Sequence, residues 1–126
     1  MFRYSSNITF IYYNDFDYGI NFFENILDLK LIMDQGFARV YQVNEKAFLG
    51  IVKLNQEINY TGNTLVSLST DDVQKEYQRI SKLETFDITE IKNFPNIPLN
   101  SFFFKDKEGH DFEIQQFLKS KDLKIF

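Results

Sequence analysis

The feature that most constrains this chain is an order of elements that occurs twice. Each half reads as a strand, a helix and three further strands, so the whole runs β-α-β-β-β, a joint, then β-α-β-β-β again. One such half leaves a sheet face bare, and that face must be covered by the other half or by a partner chain. The halves share little residue identity. They share the order of elements and a strand that ends in acids able to cap the next helix, Asn14-Asp15 in one half and Asp71-Asp72 in the other.

The segments behind this reading are specific. Ile8 to Tyr13 is rich in β-formers and predicts a strand. From Tyr18 to Leu27, the residues Ile20, Phe23 and Leu27 recur at helical spacing. Leu29 to Met33, Phe37 to Val43 and Ala47 to Leu54 predict three strands, joined by the polar turns Asp34-Gln35-Gly36 and Asn44-Glu45-Lys46. The polar stretch Asn55 to Asn63 is the joint. In the second half, Leu65 to Ser69 predicts a strand, and Val73, Tyr77, Ile80 and Leu83 form a helical stripe. Phe86 to Lys92 alternates weakly, as a strand would. Phe94 to Pro98 is a turn stiffened by two prolines. Leu99 to Lys105 and Asp111 to Phe117 are strands around the turn Asp106 to Gly109. Lys119, Lys121 and Lys124, scattered before Phe126, read as a solvated tail. The expected organisation is one α+β domain over residues 1–126, with modules at about 8–54 and 64–117.

Composition removes several functions. The chain has 126 residues, enough to bury a core without a covalent staple. It has no cysteine, which excludes disulfides, thiolate metal sites and a thiol nucleophile. Fourteen basic against eighteen acidic side chains give a net charge of −4 with no Lys/Arg run, so no nucleic-acid partner is expected. No stretch approaches the roughly 18 to 20 apolar residues of a membrane span, and Met1 to Ser6 lacks a signal-peptide core. A cytoplasmic protein with no membrane partner is expected. The five glycines are isolated, so no phosphate loop or cofactor fingerprint exists and no cofactor is expected. Serines 67, 69 and 101 have no His base nearby in sequence. The chain carries 15 Phe and 7 Tyr, which suits either a Phe-rich core or an aromatic-lined cavity.

Four local motifs resemble the glyoxalase/bleomycin-resistance superfamily, also called vicinal oxygen chelate proteins. Ile11-Tyr12-Tyr13-Asn14-Asp15 is similar to that family's first strand. Ile20-Asn21-Phe22-Phe23 through Ile26-Leu27 is similar to its first helix, with Asp28 where Gly is usual. Val66-Ser67-Leu68-Ser69-Thr70-Asp71-Asp72 resembles its fifth strand running into the second helix. Phe102 to Ile114 resembles its last hairpin, with Lys107 where Pro is usual. The resemblance implies paired βαβββ modules whose mixed sheets curl around a cavity. It also implies dimers in which modules of two chains complete each other's cavities, so a homodimer is expected.

In metal-dependent members, the first, fourth, fifth and eighth strands each supply one ligand. By the motif matches, the first position falls at Ile8 and the third at Leu65, and neither has a lone pair to offer a cation. The stretch Ala47 to Val52 has no His or carboxylate in any register, and a shifted register would have to recruit Glu57 or Thr64. Only the fourth position, Glu113, carries a ligand, and one carboxylate makes no metal site. His110, the one histidine, sits in the hairpin turn and reads as structural.

Strand alternation then sorts the side chains. If Ile8 and Glu113 face the cavity, so do Phe10, Tyr12, Leu65, Ser67, Ser69, Phe103 and Gln115. Ile11, Tyr13, Val66, Leu68, Phe102, Phe104, Phe112 and Ile114 pack under the helices. Glu113 reads equally well as a cavity carboxylate or as a carboxylate paired with Lys105 on the neighbouring strand or set on a solvated face.

The leading expectation is a metal-independent small-molecule-binding protein, its ligand contacted by Phe10, Tyr12, Ser67, Phe103, Glu113 and Gln115. An aromatic or cationic ligand would use stacking and one carboxylate. The alternatives are a divergent metal-dependent lyase, isomerase or dioxygenase of the same superfamily, and a non-catalytic structural or regulatory module.

Overall fold

The computed structural model describes residues 2–55 and 64–126, so the predicted joint lies outside the described residues from position 56 onward. The chain divides into two compact units, Met1–Asn59 and Tyr60–Phe126. Each carries a four-stranded mixed sheet. The architecture is α+β, with the βαβββ order in both units.

The first unit runs β1 (Asn7–Tyr13), α1 (Phe16–Asn21), a π-helical turn (Phe22–Ile26), β2 (Lys30–Asp34), β3 (Ala38–Asn44) and β4 (Ala47–Lys53). The spatial order is β1-β4-β3-β2, with β1 parallel to β4 and the other pairs antiparallel. Asp15 caps α1, its side chain accepting from the Tyr18 N–H at 3.1 Å. The predicted helix therefore begins two residues early, and it ends through a wider turn than its spacing suggests. The Leu27 N–H reaches the Phe22 carbonyl, five residues back, and Phe22, Phe23, Ile26 and Leu27 are all buried. Asp28 then takes φ +58° and the Leu29 N–H closes on the Phe23 carbonyl. That left-handed position explains the resemblance's usual glycine, because Asp is among the few other residues that tolerate it.

The core of this unit lies where the helical segment meets one face of the sheet. Tyr13, Phe22, Phe23, Tyr41 and Ile51 are fully buried. The Phe23 ring meets Tyr13 edge-on at 6.1 Å and Tyr41 at 5.4 Å. Glu24, on the same helical segment, accepts from Arg39 and from the Tyr41 hydroxyl, both at 2.8 Å. Burial and the bond to Glu24 hold the Tyr41 phenol well above its ordinary range.

The second unit runs β5 (Leu65–Ser69), α2 (Val73–Ile80), β6 (Lys92–Phe94), β7 (Leu99–Lys105), β8 (Asp111–Phe117) and α3 (Ser120–Ile125), with strand order β5-β8-β7-β6. Again the first strand is parallel to the last, and the remaining pairs are antiparallel. Asp72 caps α2 by accepting from the Lys75 N–H, the same offset as Asp15 to Tyr18. Gln116 of β8 adds a second tie. Its amide oxygen accepts from the Val73 N–H and its amide nitrogen donates to the Asp71 carbonyl. Phe102, Phe104, Phe112 and Ile114 form the core under α2, with Phe104 and Phe112 stacked at 5.6 Å and Tyr77 edge-on to Phe102 at 5.1 Å.

One expectation needs correction. Phe86 to Lys92 is not one strand. It makes an isolated bridge from Phe86 to Lys105 and breaks at Asp87, which takes φ +52°, so the edge strand proper is Lys92–Phe94. The predicted solvated tail is exposed at Lys119, Lys121 and Lys124, and it carries the helix α3, with the Phe126 ring stacked on Phe117 at 4.7 Å. That contact joins residues nine apart, which local lysine spacing does not register. No helix among the described residues is long and apolar enough to cross a membrane.

Candidate functional site

Strand pairing decides which side chains share a face. On β1, Ile8, Phe10 and Tyr12 stand opposite Phe48, Gly50 and Val52 of β4, and all six lie on the face away from the helical segment. The face is apolar and partly open, with Ile8, Phe10 and Tyr12 each 42% exposed or more. Phe10 lies across Gly50, where an added Cβ would come within 2.4 Å of its ring. Missing bulk on β4 thus seats an aromatic ring from β1.

The corresponding face of the second sheet has different chemistry. Its cross-strand rows are Leu65–Asp111–Lys105, then Ser67–Glu113–Phe103, then Ser69–Gln115–Ser101–Lys92. The predicted site residues Ser67, Phe103, Glu113 and Gln115 therefore share one face of one sheet. Phe10 and Tyr12 share the equivalent face of the other sheet.

Glu113 is nearly buried, at 9% exposure. Its Oε1 accepts from the Ser67 hydroxyl at 2.7 Å. No other partner meets it among the described residues. Lys105, the alternative partner, pairs instead with Asp111 directly across the strands. That hydrogen bond raises the Lys105 ammonium above its ordinary range. One row on, Gln115 donates to Ser69 at 3.4 Å. Ser101 is fully buried, and its Oγ has no hydrogen-bond partner among the described residues. Sequence reasoning missed Ser101 and Lys92 as members of this face. The parity of Ser101 with Phe103 held the signal for the first, but Lys92 depends on the displaced edge strand.

The metal-ligand positions can be tested for fit. Ile8, Phe48, Gly50, Val52 and Leu65 occupy the relevant faces of β1, β4 and β5, and none offers an oxygen or nitrogen side-chain donor. Glu113 alone has the right chemistry, and these residues do not fit a metal ion. Among the described residues, no three His, Cys, Asp or Glu side chains gather into a possible metal site. Glu57 lies outside the described residues.

His110 is placed where the sequence put it, in the β7–β8 hairpin, but it is buried. Its Nδ1 lies 2.8 Å from Asp106 Oδ2, and its backbone N–H donates to Asp106 Oδ1 at 3.0 Å. Asp106 also accepts from the Glu108 N–H. This is a turn lock rather than a part of the Glu113 face.

Paired βαβββ units with these sheet orders define a class of fold, and comparison with solved structures identifies it. The chain has the fold of the glyoxalase/bleomycin-resistance/dioxygenase superfamily. It is similar to lactoylglutathione lyase from Agrobacterium tumefaciens, with a TM-score of 0.68 and 17% identity over 86% of this chain and 90% of that one. It is also similar to TioX from Micromonospora sp. ML1 (TM-score 0.74, 17% identity, 91% and 100% covered). The fosfomycin resistance protein FosX from Mesorhizobium loti is a third (TM-score 0.70, 16% identity, 98% and 99% covered). No family model and no curated protein matches the chain.

Proposed function

We propose that this chain is a metal-independent small-molecule-binding protein of the bleomycin-resistance kind, with Glu113 as the polar anchor of its ligand. One observation carries the reading. A nearly buried carboxylate is held by a single hydroxyl on a sheet face where the other family ligand position is a leucine. Burying a carboxylate is expensive unless it is well paired. Glu113 has less support than a structural carboxylate needs, and a ligand group supplies the remainder. Ser67, Phe103 and Gln115 share its sheet face, and Phe10 and Tyr12 offer aromatic surface on the equivalent face of the other unit. The protein acts in the cytoplasm as a homodimer.

The test has two arms. Elemental analysis of untagged protein should find no stoichiometric nickel, zinc, manganese or iron. Screening by thermal shift with a panel of aromatic compounds should raise the melting temperature of the protein but not of Glu113→Leu. Stoichiometric metal, or a panel that never moves the melting temperature, would overturn the reading.

A further inference from the structure

Three features of the second sheet's face point to the chemical class of the ligand, an inference that rests on the reading above. The Glu113 carboxylate has one neutral donor and, among the described residues, no cation. The Ser101 hydroxyl is fully buried and has no hydrogen-bond partner among the described residues. Phe103, directly opposite Glu113 and two residues along β7 from Ser101, already has a cation over its ring, with Lys92 Nζ 6.0 Å from the centroid.

Geometry relates the three. Ser101 stands opposite Gln115 and Phe103 opposite Glu113, so Glu113 and Ser101 are diagonal neighbours on adjacent strands. Such diagonals are about 7 to 8 Å apart. Two N–H···O bonds of about 2.9 Å, leaving a planar head group in different directions, bridge that spacing. A carboxylate only accepts, and a hydroxyl can accept as well as donate, so both ends suit N–H donors. An aromatic face beneath favours a cation. Lys92 is exposed on the edge strand and can swing out.

We propose that this face takes a planar cation bearing at least two N–H donors, an amidinium, a guanidinium or a protonated aminoheterocycle. The cation lies on the Phe103 ring, donates to Glu113 and to Ser101, and takes the place Lys92 holds in the free protein. A neutral or anionic aromatic leaves the carboxylate unpaired and binds less tightly.

The experiment is calorimetric titration, with backbone NMR mapping, of four probes against the full chain. Benzamidine carries both donors on a flat ring. N,N-dimethylbenzylamine is a cation with one N–H, benzoate is the anion of matching shape, and benzyl alcohol is the neutral control. Benzamidine should bind most tightly and perturb β7 and β8. Glu113→Gln should weaken it by about tenfold or more, as for a hydrogen bond to a charged group. Ser101→Ala, a change small enough to keep the fold, should weaken benzamidine about fivefold and leave N,N-dimethylbenzylamine unchanged. Lys92→Ala should strengthen both cations by removing a competing charge.

Benzoate or benzyl alcohol binding on β7 and β8 as tightly as benzamidine would overturn the cation assignment while leaving small-molecule binding intact. An equal effect of Ser101→Ala on both cations would overturn the two-donor bridge. If none of the four probes perturbs β7 or β8, the cation assignment falls. The aromatic panel above then decides separately whether the sheet binds any small molecule.

Discussion

Asp106→Ala tests how the β7–β8 hairpin is held, and its cost can be worked from three bonds. Asp106 is 1% exposed. It accepts from the Glu108 N–H at 3.0 Å, from the His110 N–H at 3.0 Å and meets His110 Nδ1 at 2.8 Å. An ionised carboxylate has no proton to give, so Nδ1 is the donor in that bond. Alanine leaves all three groups without this acceptor. Glu108 is half-buried and its N–H can turn to water, whereas His110 is buried. Two buried donors at about 1 to 3 kcal/mol each give a loss of about 2 to 6 kcal/mol, centred near about 4. That is a large share of a stability of about 5 to 15 kcal/mol. Urea unfolding measures it. With a slope of about 2 kcal/mol per molar, the midpoint should fall by about 2 M at unchanged slope. Asp106→Asn keeps the shape and one acceptor, and should lose less. A loss below about 1 kcal/mol for the alanine variant would refute the turn lock and return His110 to consideration as a functional group.

The remaining predictions contrast with that one. Glu113→Gln should change stability by less than about 1 kcal/mol, because the one bond lost to Ser67 is offset by a smaller desolvation cost; a loss near 3 kcal/mol in the same urea assay would mark Glu113 as structural. Tyr41 has a phenol whose folded pKa is raised above the unfolded value of about 10. The folded state holds that proton where the unfolded state has released it, so the stabilisation is full below about pH 10 and declines as pH rises above it. Tyr41→Phe should flatten that decline and remove one late-titrating group from the tyrosinate absorbance curve. Asp28→Gly should raise stability by about 1 kcal/mol by relieving the left-handed backbone. Gly19→Ala should destabilise despite better helix propensity. Its Cβ would come within 2.9 Å of the fully buried Tyr13 ring, and overpacking of that kind costs about 1 to 3 kcal/mol.

Much of the fold was legible because strand alternation and helix stripes are local signals. Leu65–Ser69, Leu99–Lys105 and Asp111–Phe117 lie where the β-formers put them. Asp15 and Asp72 cap their helices, as acids just before an apolar stripe should. The partition of faces also held: the residues assigned beneath the helices include Tyr13, Phe102, Phe104, Phe112 and Ile114, all buried. What escaped depends on contacts or backbone turns without a periodic signature. The π-helical turn follows from two adjacent aromatic residues needing the same core. The break at Asp87 is a single left-handed residue, and α3 depends on Phe126 stacking on Phe117. The shared face of Ser67, Phe103, Glu113 and Gln115 was legible, because parity fixes a face. Ser101 was not, because a serine in a Phe-rich strand looks incidental until its burial, with no partner among the described residues, is known.

The two units have kept one architecture and diverged on equivalent faces. In the first, the face around Ile8, Phe10 and Tyr12 carries Phe48, Gly50 and Val52, with no charged group among these six. In the second, the equivalent face carries Glu113 and the row Ser69–Gln115–Ser101–Lys92. Small-molecule sites are mostly apolar surface with a few placed polar groups that fix orientation. The first unit's face offers aromatic area, with Gly50 making room for Phe10. The second unit's face meets both requirements by itself, with the Phe103 ring as apolar surface and Glu113 and Ser101 as the placed polar groups. Ile8 and Leu65, at the positions that the family resemblance assigns to ligands, present apolar surface and no lone pair, while Glu113 beside a buried serine can anchor a donor group.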